Sequence, residues 1–337
     1  MLKKDNLNRR SFLTAVGFGT LSMSIQPLLF RGSETNCIQS TDDENSVTTN
    51  LVERLGYAPD SRLLIINGDD FGESHAANMG IIKALEAGLT TTASLMMPAP
   101  WVMEAVEYIK SHPKVDVGVH LTLTGPSGGV RRGGVNWRPL CSRYEVPGLY
   151  SPDGYMWKSG REVWEHASPE EVKRECRAQI KKALELGIDI VKLDPHDGLF
   201  SANYGEFGKI YGELGQEFGL PLRMPSQKEI ESLGYPKLRA EISKRGVLMS
   251  DEWSGVGEKK LYIRRLHELP LGSVMDTWIH PAVECNELKA ISGNWWKERV
   301  EELRFVTEDR DLRQVIEEER IIPIGWREIR ELQRSTL

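Results

Sequence analysis

The chain has 337 residues, 40% hydrophobic and 27% charged, with a formal net charge of −6. These are globular proportions, and the length allows one large α/β domain or two smaller ones. No Lys/Arg run is long enough for a nucleic-acid footprint, and four cysteines without a C-x-x-C spacing exclude a disulfide framework or a cysteine-built zinc site.

Near the N-terminus, Arg9 and Arg10 precede Ser11-Phe12-Leu13, and a modestly apolar stretch runs on to Phe30. A basic segment ahead of an apolar one is an export signal, and this pairing resembles the bacterial twin-arginine type. The expectation is a signal over 1–31, export to the periplasm by that route, and membrane contact only through the signal. A short membrane anchor is the alternative, although Gln26-Pro27 and the Gly, Ser and Thr residues within the stretch make it a weak span. Residues 32–55 are rich in Ser, Thr, Asn and Glu, so 32–58 reads as a linker and 59–337 as a single domain.

From about residue 60 apolar runs alternate with helical ones. Strands are predicted at 63–67, 92–97, 115–121, 188–193, 220–224, 247–250, 274–279 and 321–324, short and nearly continuous in Val, Ile and Leu. That is the pattern of strands buried on both faces of a parallel sheet. Amphipathic helices are predicted at 76–87, 169–186, 203–218, 259–268 and 309–319. The second opens with Ser168-Pro169-Glu170-Glu171, a capping box with proline at the first helical position. Seven or eight such units predict a β/α barrel of parallel strands, with a doubly wound open sheet as the alternative. The stretch 124–167, rich in Gly, Pro, Trp and Tyr, is too long for a plain connection and reads as a lid or as a loosely packed insertion.

Chemistry gathers at the strand ends. LLIINGDDFG ends on Asp69-Asp70, VDVGVHLTL carries His120, IDIVKLDPHDG carries His196 and VMDTWIHPA carries His280. A β/α barrel collects such residues at the C-terminal ends of its strands. Two histidines and a carboxylate with open positions make a catalytic metal site, and the second carboxylate is left for the water. Each residue also has a plainer reading: Asp69 or Asp70 as a helix cap, the histidines as structural. In Asp194-Pro195-His196-Asp197 a carboxylate can hold the imidazole tautomer. His75 ranks below His120 and His196 as a ligand, and His112, His166 and His267 read as surface residues. Arg223 can bind a sugar hydroxyl or orient Asp69. Trp137, Trp157, Trp295 and Trp296 are candidate sugar-stacking faces, and Trp326 reads as core or barrel closure.

NGDDFG, then Asn78, Gly80-Ile81, Gly88-Leu89-Thr90, SLMMPAP, GVHLTLTGP, LDPHDGLF, LPLRMPS, IHPA and IGWREI, resemble the YdjC family of carbohydrate deacetylases, in order from about 62 to 333. The resemblance implies a distorted β/α barrel that hydrolyses an acetamido group on a sugar with one divalent metal, Mg²⁺ or Zn²⁺. By the family pattern Asp70, His120 and His196 match the metal ligands, Asp69 the general base and His280 a further active-site histidine. Phe71, Asn78 and Thr122, within the matched motifs, join Arg223 as expected substrate contacts, and Asp194 supports the ligands from behind. The expected partner is an N-acetylated sugar. A homodimer is compatible with the sequence and not required by it. Gly68 before the Asp pair, Pro195 before His196 and Gly198 after it depart from common members, which weakens an assignment to chitin fragments. A metal-free glycosidase and an exported sugar-binding protein without turnover are the rival readings.

Overall fold

The protein is described by a computed structural model, covering residues 50–126, 136–196 and 202–336. The expected export signal and residues 32–49 of the expected linker lie outside the described residues. The fold begins upstream of residue 59: a short helix, Leu51–Arg54, is capped by the Asn50 side chain. Leu51 and Val52 are buried, so 50–58 belongs to the domain rather than to a linker. No helix among the described residues is long and apolar enough to cross a membrane.

Among the described residues seven parallel strands make one sheet, ordered β4-β3-β2-β1-β6-β5, with β7 against β1. They are β1 (Arg62–Phe71), β2 (Thr92–Leu95), β3 (Asp116–Leu121), β4 (Ile190–Pro195), β5 (Glu252–Gly255), β6 (Ser273–Ile279) and β7 (Ile321–Pro323). Single bridges from Leu193 to Leu222 and from Leu222 to Met249 carry the sheet round from β4 toward β5. This is the distorted (β/α) barrel. Its distortion has a local cause at β1. The edge facing away from β6 is shared, with β7 along Arg62–Leu64 and β2 from Asn67 onward.

Two of the predicted strands shrink to single bridges. Residues 220–224 form only a bridge at Leu222, because Pro221 and Pro225 flank it and proline cannot donate to a ladder. The run at 247–250 likewise pairs only at Met249, and the strand proper, Glu252–Gly255, follows it.

Alternation along β1 sorts its side chains. Leu64 and Ile66 face outward to pack with Tyr262 and Phe305. Leu63 and Ile65 face inward, where Val191, Val274, Ile324, Trp326 and Ile329 fill the lower barrel. Trp326 is therefore core and barrel closure. Above that plug the interior turns polar, and the site is built there.

The stretch expected as a lid or a loose insertion is, over residues 136–167, a packed wall. Cys141, Val146, Leu149 and Val163 join the main core, and Trp137 and Met156 pack on Met96 and Ala99. One stripe of the helix Pro169–Glu185 clamps it. Glu171 accepts from the Gly148 N–H, Glu175 from the N–H groups of Leu140 and Cys141, and Gln179 exchanges hydrogen bonds with the backbone of Thr122.

Candidate active site

In a regular strand Asp69 and Asp70 would point to opposite faces. Here the β1–β2 register breaks between Gly68 and Phe71, and Asp70 takes a left-handed φ of 68°. Aspartate tolerates that conformation better than most residues, and such strain is typical of functional sites. The turn brings both carboxylates to one histidine. The Nε2 of His120 lies 3.9 Å from Asp69 Oδ2 and 3.6 Å from Asp70 Oδ1. His196 Nε2 lies 3.8 Å from the same Asp70 Oδ1. The two imidazoles meet edge to face at 5.3 Å.

Each imidazole is held from behind. Asp194 Oδ2 is 3.0 Å from His120 Nδ1, and Thr124 Oγ1 is 2.9 Å from His196 Nδ1. With a carboxylate on Nδ1, His120 carries a proton there and turns Nε2 to Asp70; burial would lower its pKa, but Asp194, Asp69 and Asp70 prevail and raise it. Sequence proximity suggested that Asp194 steadies His196. It steadies His120, because the β3–β4 register sets His120 directly opposite Asp194.

Below the histidines lies a fully buried ionic network. Arg223 donates to Asp276 through Nε at 2.7 Å and to both oxygens of Asp69 at 2.9–3.1 Å, with Asp194 Oδ2 at 3.1 Å. Asn67 donates to Asp69 and to Ser94, and Ser94 to Asp194. Lys192 reaches Asp194 Oδ1 at 3.1 Å. Its stem fits only because position 118 is glycine, where a Cβ would lie 2.5 Å from Lys192 Cγ. Burial drags the Lys192 ammonium below its ordinary range and Arg223 adds to this, whereas Asp194 opposes it. Burial would raise Asp194, but Lys192, Arg223 and His120 outweigh it and hold that carboxyl well below the usual range. Paired in this way, the buried charges avoid the penalty of an isolated ion.

The helix Trp296–Glu308 supplies what the sequence reading missed. Arg299, buried, donates to Asp70 Oδ2 and to Glu73 Oε2, each at 2.7 Å. Burial alone would raise Asp70, but Arg299 and the histidines His280, His196 and His120 hold it well below the ordinary carboxylate range. One turn on, Glu302 accepts the backbone N–H of His280 at 2.7 Å. His280, partly exposed at the end of β6, has its Nδ1 3.8 Å from Glu302 Oε2. Gly80 lets the helix His75–Glu86 pack on the backbone that follows His280, since a Cβ there would sit 2.3 Å from the Pro281 carbonyl oxygen. No helix was expected over 296–308, and Arg299 and Glu302 stood there as two charges among many. Their i, i+3 spacing was the available signal.

Several expected contacts fall elsewhere. Phe71 is fully buried in the core against Tyr108, since the bulge turns it away from the mouth. Asn78 accepts from Gly72 N–H and donates to Trp101 O and Glu104, so it ties the turn after β1. Thr122 is buried and donates to the His120 carbonyl oxygen. Arg223, sealed inside its ion pairs, orients Asp69 and is not open to a sugar hydroxyl. None of these four side chains is placed to touch substrate. His75 pairs with Glu104 at 2.7 Å on the exterior and is no ligand. Trp137 is buried beside His196, Trp157 donates to Gly148 O and stacks on His166, Trp296 lies under Lys289, and Trp295 is exposed.

Two overlapping donor sets, sharing His120, could hold a metal ion. Asp69, His120 and Asp194 offer ligand atoms within 4.8 Å of one another. In that set Asp194 already serves His120, Ser94, Lys192 and Arg223. The second set is Asp70, His120 and His196. Its Asp70 Oδ1 is buried without a hydrogen-bond partner among the described residues and faces both Nε2 atoms. A buried orphan acceptor between two imidazole nitrogens fits a cation.

Residues 63–318 match the model of the YdjC-like protein family. Relatives named carbohydrate deacetylase include one from Brevibacillus brevis, 28% identical over 271 residues, covering 79% of this chain and 99% of that protein. Another, from Thermoanaerobacter pseudethanolicus, is 27% identical over 268 residues, covering 77% and 96%. A crystal structure from Enterococcus faecalis V583, provisionally named a cellobiose-phosphate cleavage protein, superposes with a TM-score of 0.68. It is 28% identical and covers 80% of this chain and 99% of that one. The match spans every residue of the site, and the chain belongs to the YdjC-like protein family.

Proposed function

We propose that the protein is a metal-dependent hydrolase that removes the acetyl group from an N-acetylated sugar, giving acetate and an amino sugar. The observation that carries this is the orphan Asp70 Oδ1 between the Nε2 atoms of His120 and His196, in a family whose named relatives are carbohydrate deacetylases. Asp70, His120 and His196 would hold one divalent ion, and two nitrogen donors favour Zn²⁺ over the oxygen-seeking Mg²⁺. Such an ion supplies Lewis-acid polarisation of the acetamide carbonyl and of the attacking water.

The remaining work belongs to side chains. Arg299 neutralises Asp70 from outside, so the carboxylate stays ionised and aimed inward. Asp69, fixed in a bidentate grip by Arg223, takes the proton from the attacking water. His280, on the open side and held through its backbone by Glu302, delivers a proton to the departing amine. The same geometry argues against a glycosidase. Asp70, paired with Arg299, cannot serve as the protonated acid that such an enzyme needs across the bond.

The test is metal analysis of the purified protein combined with an acetate-release assay on N-acetylated mono- and oligosaccharides. We expect about one ion per chain and acetate release that a chelator abolishes. A fully loaded protein that releases no acetate from any of them sinks the reading, and indifference to the chelator favours a glycosidase. Export is part of the proposal, and Arg9→Lys with Arg10→Lys should leave the protein in the cytoplasm in a fractionation assay.

A further inference from the structure

The inward positions of β6 are Asp276, Trp278 and His280, two residues apart. Asp276 grips Arg223 from below and His280 stands at the mouth. Trp278 lies between them. Its ring is fixed on several sides. The Arg223 guanidinium lies 5.4 Å from the ring centroid. Trp253 meets it at 5.2 Å with a 55° tilt and is itself tied by an Nε1–H bond to Glu229 Oε2 at 2.6 Å. Gly255 leaves room for its edge, since a Cβ there would sit 3.2 Å from the indole. Yet Trp278 stays partly exposed, and its indole N–H is not fully buried and has no partner among the described residues.

A tryptophan braced this firmly, but left partly open with a spare donor, is a preorganised surface for a ring with one apolar face. Its place is decisive. Arg223 lies over the Trp278 ring and holds both oxygens of Asp69, so the indole and the carboxylate share one guanidinium. We propose that Trp278, braced by Arg223, Trp253 and Gly255, is the platform on which the pyranose ring bearing the acetamido group stacks. The C–H face of the sugar lies on the indole, and the indole N–H serves a ring hydroxyl. The stacking registers the acetamido substituent against Asp69. This deepens the deacetylase reading and rests on it for the role of Asp69.

The test titrates N-acetylglucosamine and its β-1,4-linked dimer and trimer into the metal-loaded Asp69→Asn protein by calorimetry, alone and combined with Trp278→Ala or Trp278→Phe. Removing the ring should weaken sugar binding at least about tenfold, and Phe should restore most of it. In the Asp69 protein, Trp278→Ala should raise KM by a similar factor with kcat within about threefold. Melting curves check that each variant is folded, and Trp278→Phe carries the test if the alanine variant is not. Sugar affinity unchanged in the folded variants overturns the platform. So does a fall in kcat without a rise in KM, which would mean that Trp278 acts only through Arg223. Sugar binding that depends on Trp278 in a protein that releases no acetate keeps the platform and overturns the deacetylase reading. No sugar binding by the parent protein overturns the platform whatever the acetate assay gives.

Discussion

Along β1, Leu63 and Ile65 face a plug of Val191, Val274, Trp326 and Ile329. The next inward positions, Asn67 and Asp69, face Ser94, Asp194 and Arg223. The two halves of the barrel interior share the same strands and the same alternation, and they differ in what each gains from burial. The lower half stabilises the fold directly, at about 25 cal/mol per Å² of apolar surface removed from water. The upper half contributes little net stability, because desolvating its ions consumes most of what pairing them returns. It is kept for the positions that it imposes on Asp69, Asp70, His120 and His196. Substitutions at the two ends should therefore fail in different ways.

The largest expected effect is at the histidines. His196→Ala should leave the lower plug, and hence folding, nearly intact while removing a nitrogen donor from the candidate metal set. We expect loss of bound metal after dialysis and loss of essentially all acetate release. Retained stoichiometric metal would shift the site to the alternative set of Asp69, His120 and Asp194. Next comes Asp69→Asn, which keeps the shape of the side chain and removes the proposed base. Its kcat should fall by about 10²–10⁴-fold with metal content unchanged. A normal rate would make Asp69 a structural partner of Arg223 and nothing more.

A third pair of variants sets the two ends against each other. Trp326→Ala removes a fully buried ring from the plug and should cost about 3–5 kcal/mol in denaturant unfolding, with kcat per folded molecule preserved. Arg299→Leu should cost a comparable amount, about 3–5 kcal/mol, because it leaves Asp70 and Glu73 buried without their cation. Only the second should also weaken metal binding. If both variants lose metal equally, the division between the halves is wrong.

How far this was legible in the sequence follows the same division. The apolar runs of β1, β3, β4 and β6 announced a parallel barrel, because burial on both faces leaves little but Val, Ile and Leu. Strand β5, EWSG, carries no such run and was invisible. The strand-end residues were legible because they are acids and imidazoles where apolar residues were due. Which carboxylate holds which histidine was not, since Asp194 reaches His120 through register rather than through sequence proximity. Arg299 and Glu302 were lost for the opposite reason, as charges among many in a segment where no helix was expected. Phe71, Asn78 and Thr122 were misplaced because a motif shows that a residue is near the site and not which way its side chain points.

The smallest effect lies at the rim, where Glu171 ties the wall of 136–167 to the barrel. Its carboxylate accepts from the N–H groups of Ser168 and Gly148 at 2.8 and 2.6 Å and closes the capping box. Burial acts to raise its pKa, but these hydrogen bonds and Arg174 prevail and lower it. A folded value below the unfolded one means that the stabilisation is fully present above the unfolded value. It drains away as pH falls through the folded value. Glu171→Gln should therefore cost about 0.5–1 kcal/mol near neutral pH, a modest figure for a partly solvated group. The gap between the two stability curves should narrow as pH falls below about 4.3. Because the wall carries Trp137 against His196, the variant should also loosen that contact, seen as faster amide exchange over 136–167. A gap that does not vary with pH would show that Glu171 holds the wall by packing and not as a carboxylate, and the rim would then belong with the lower half of the barrel.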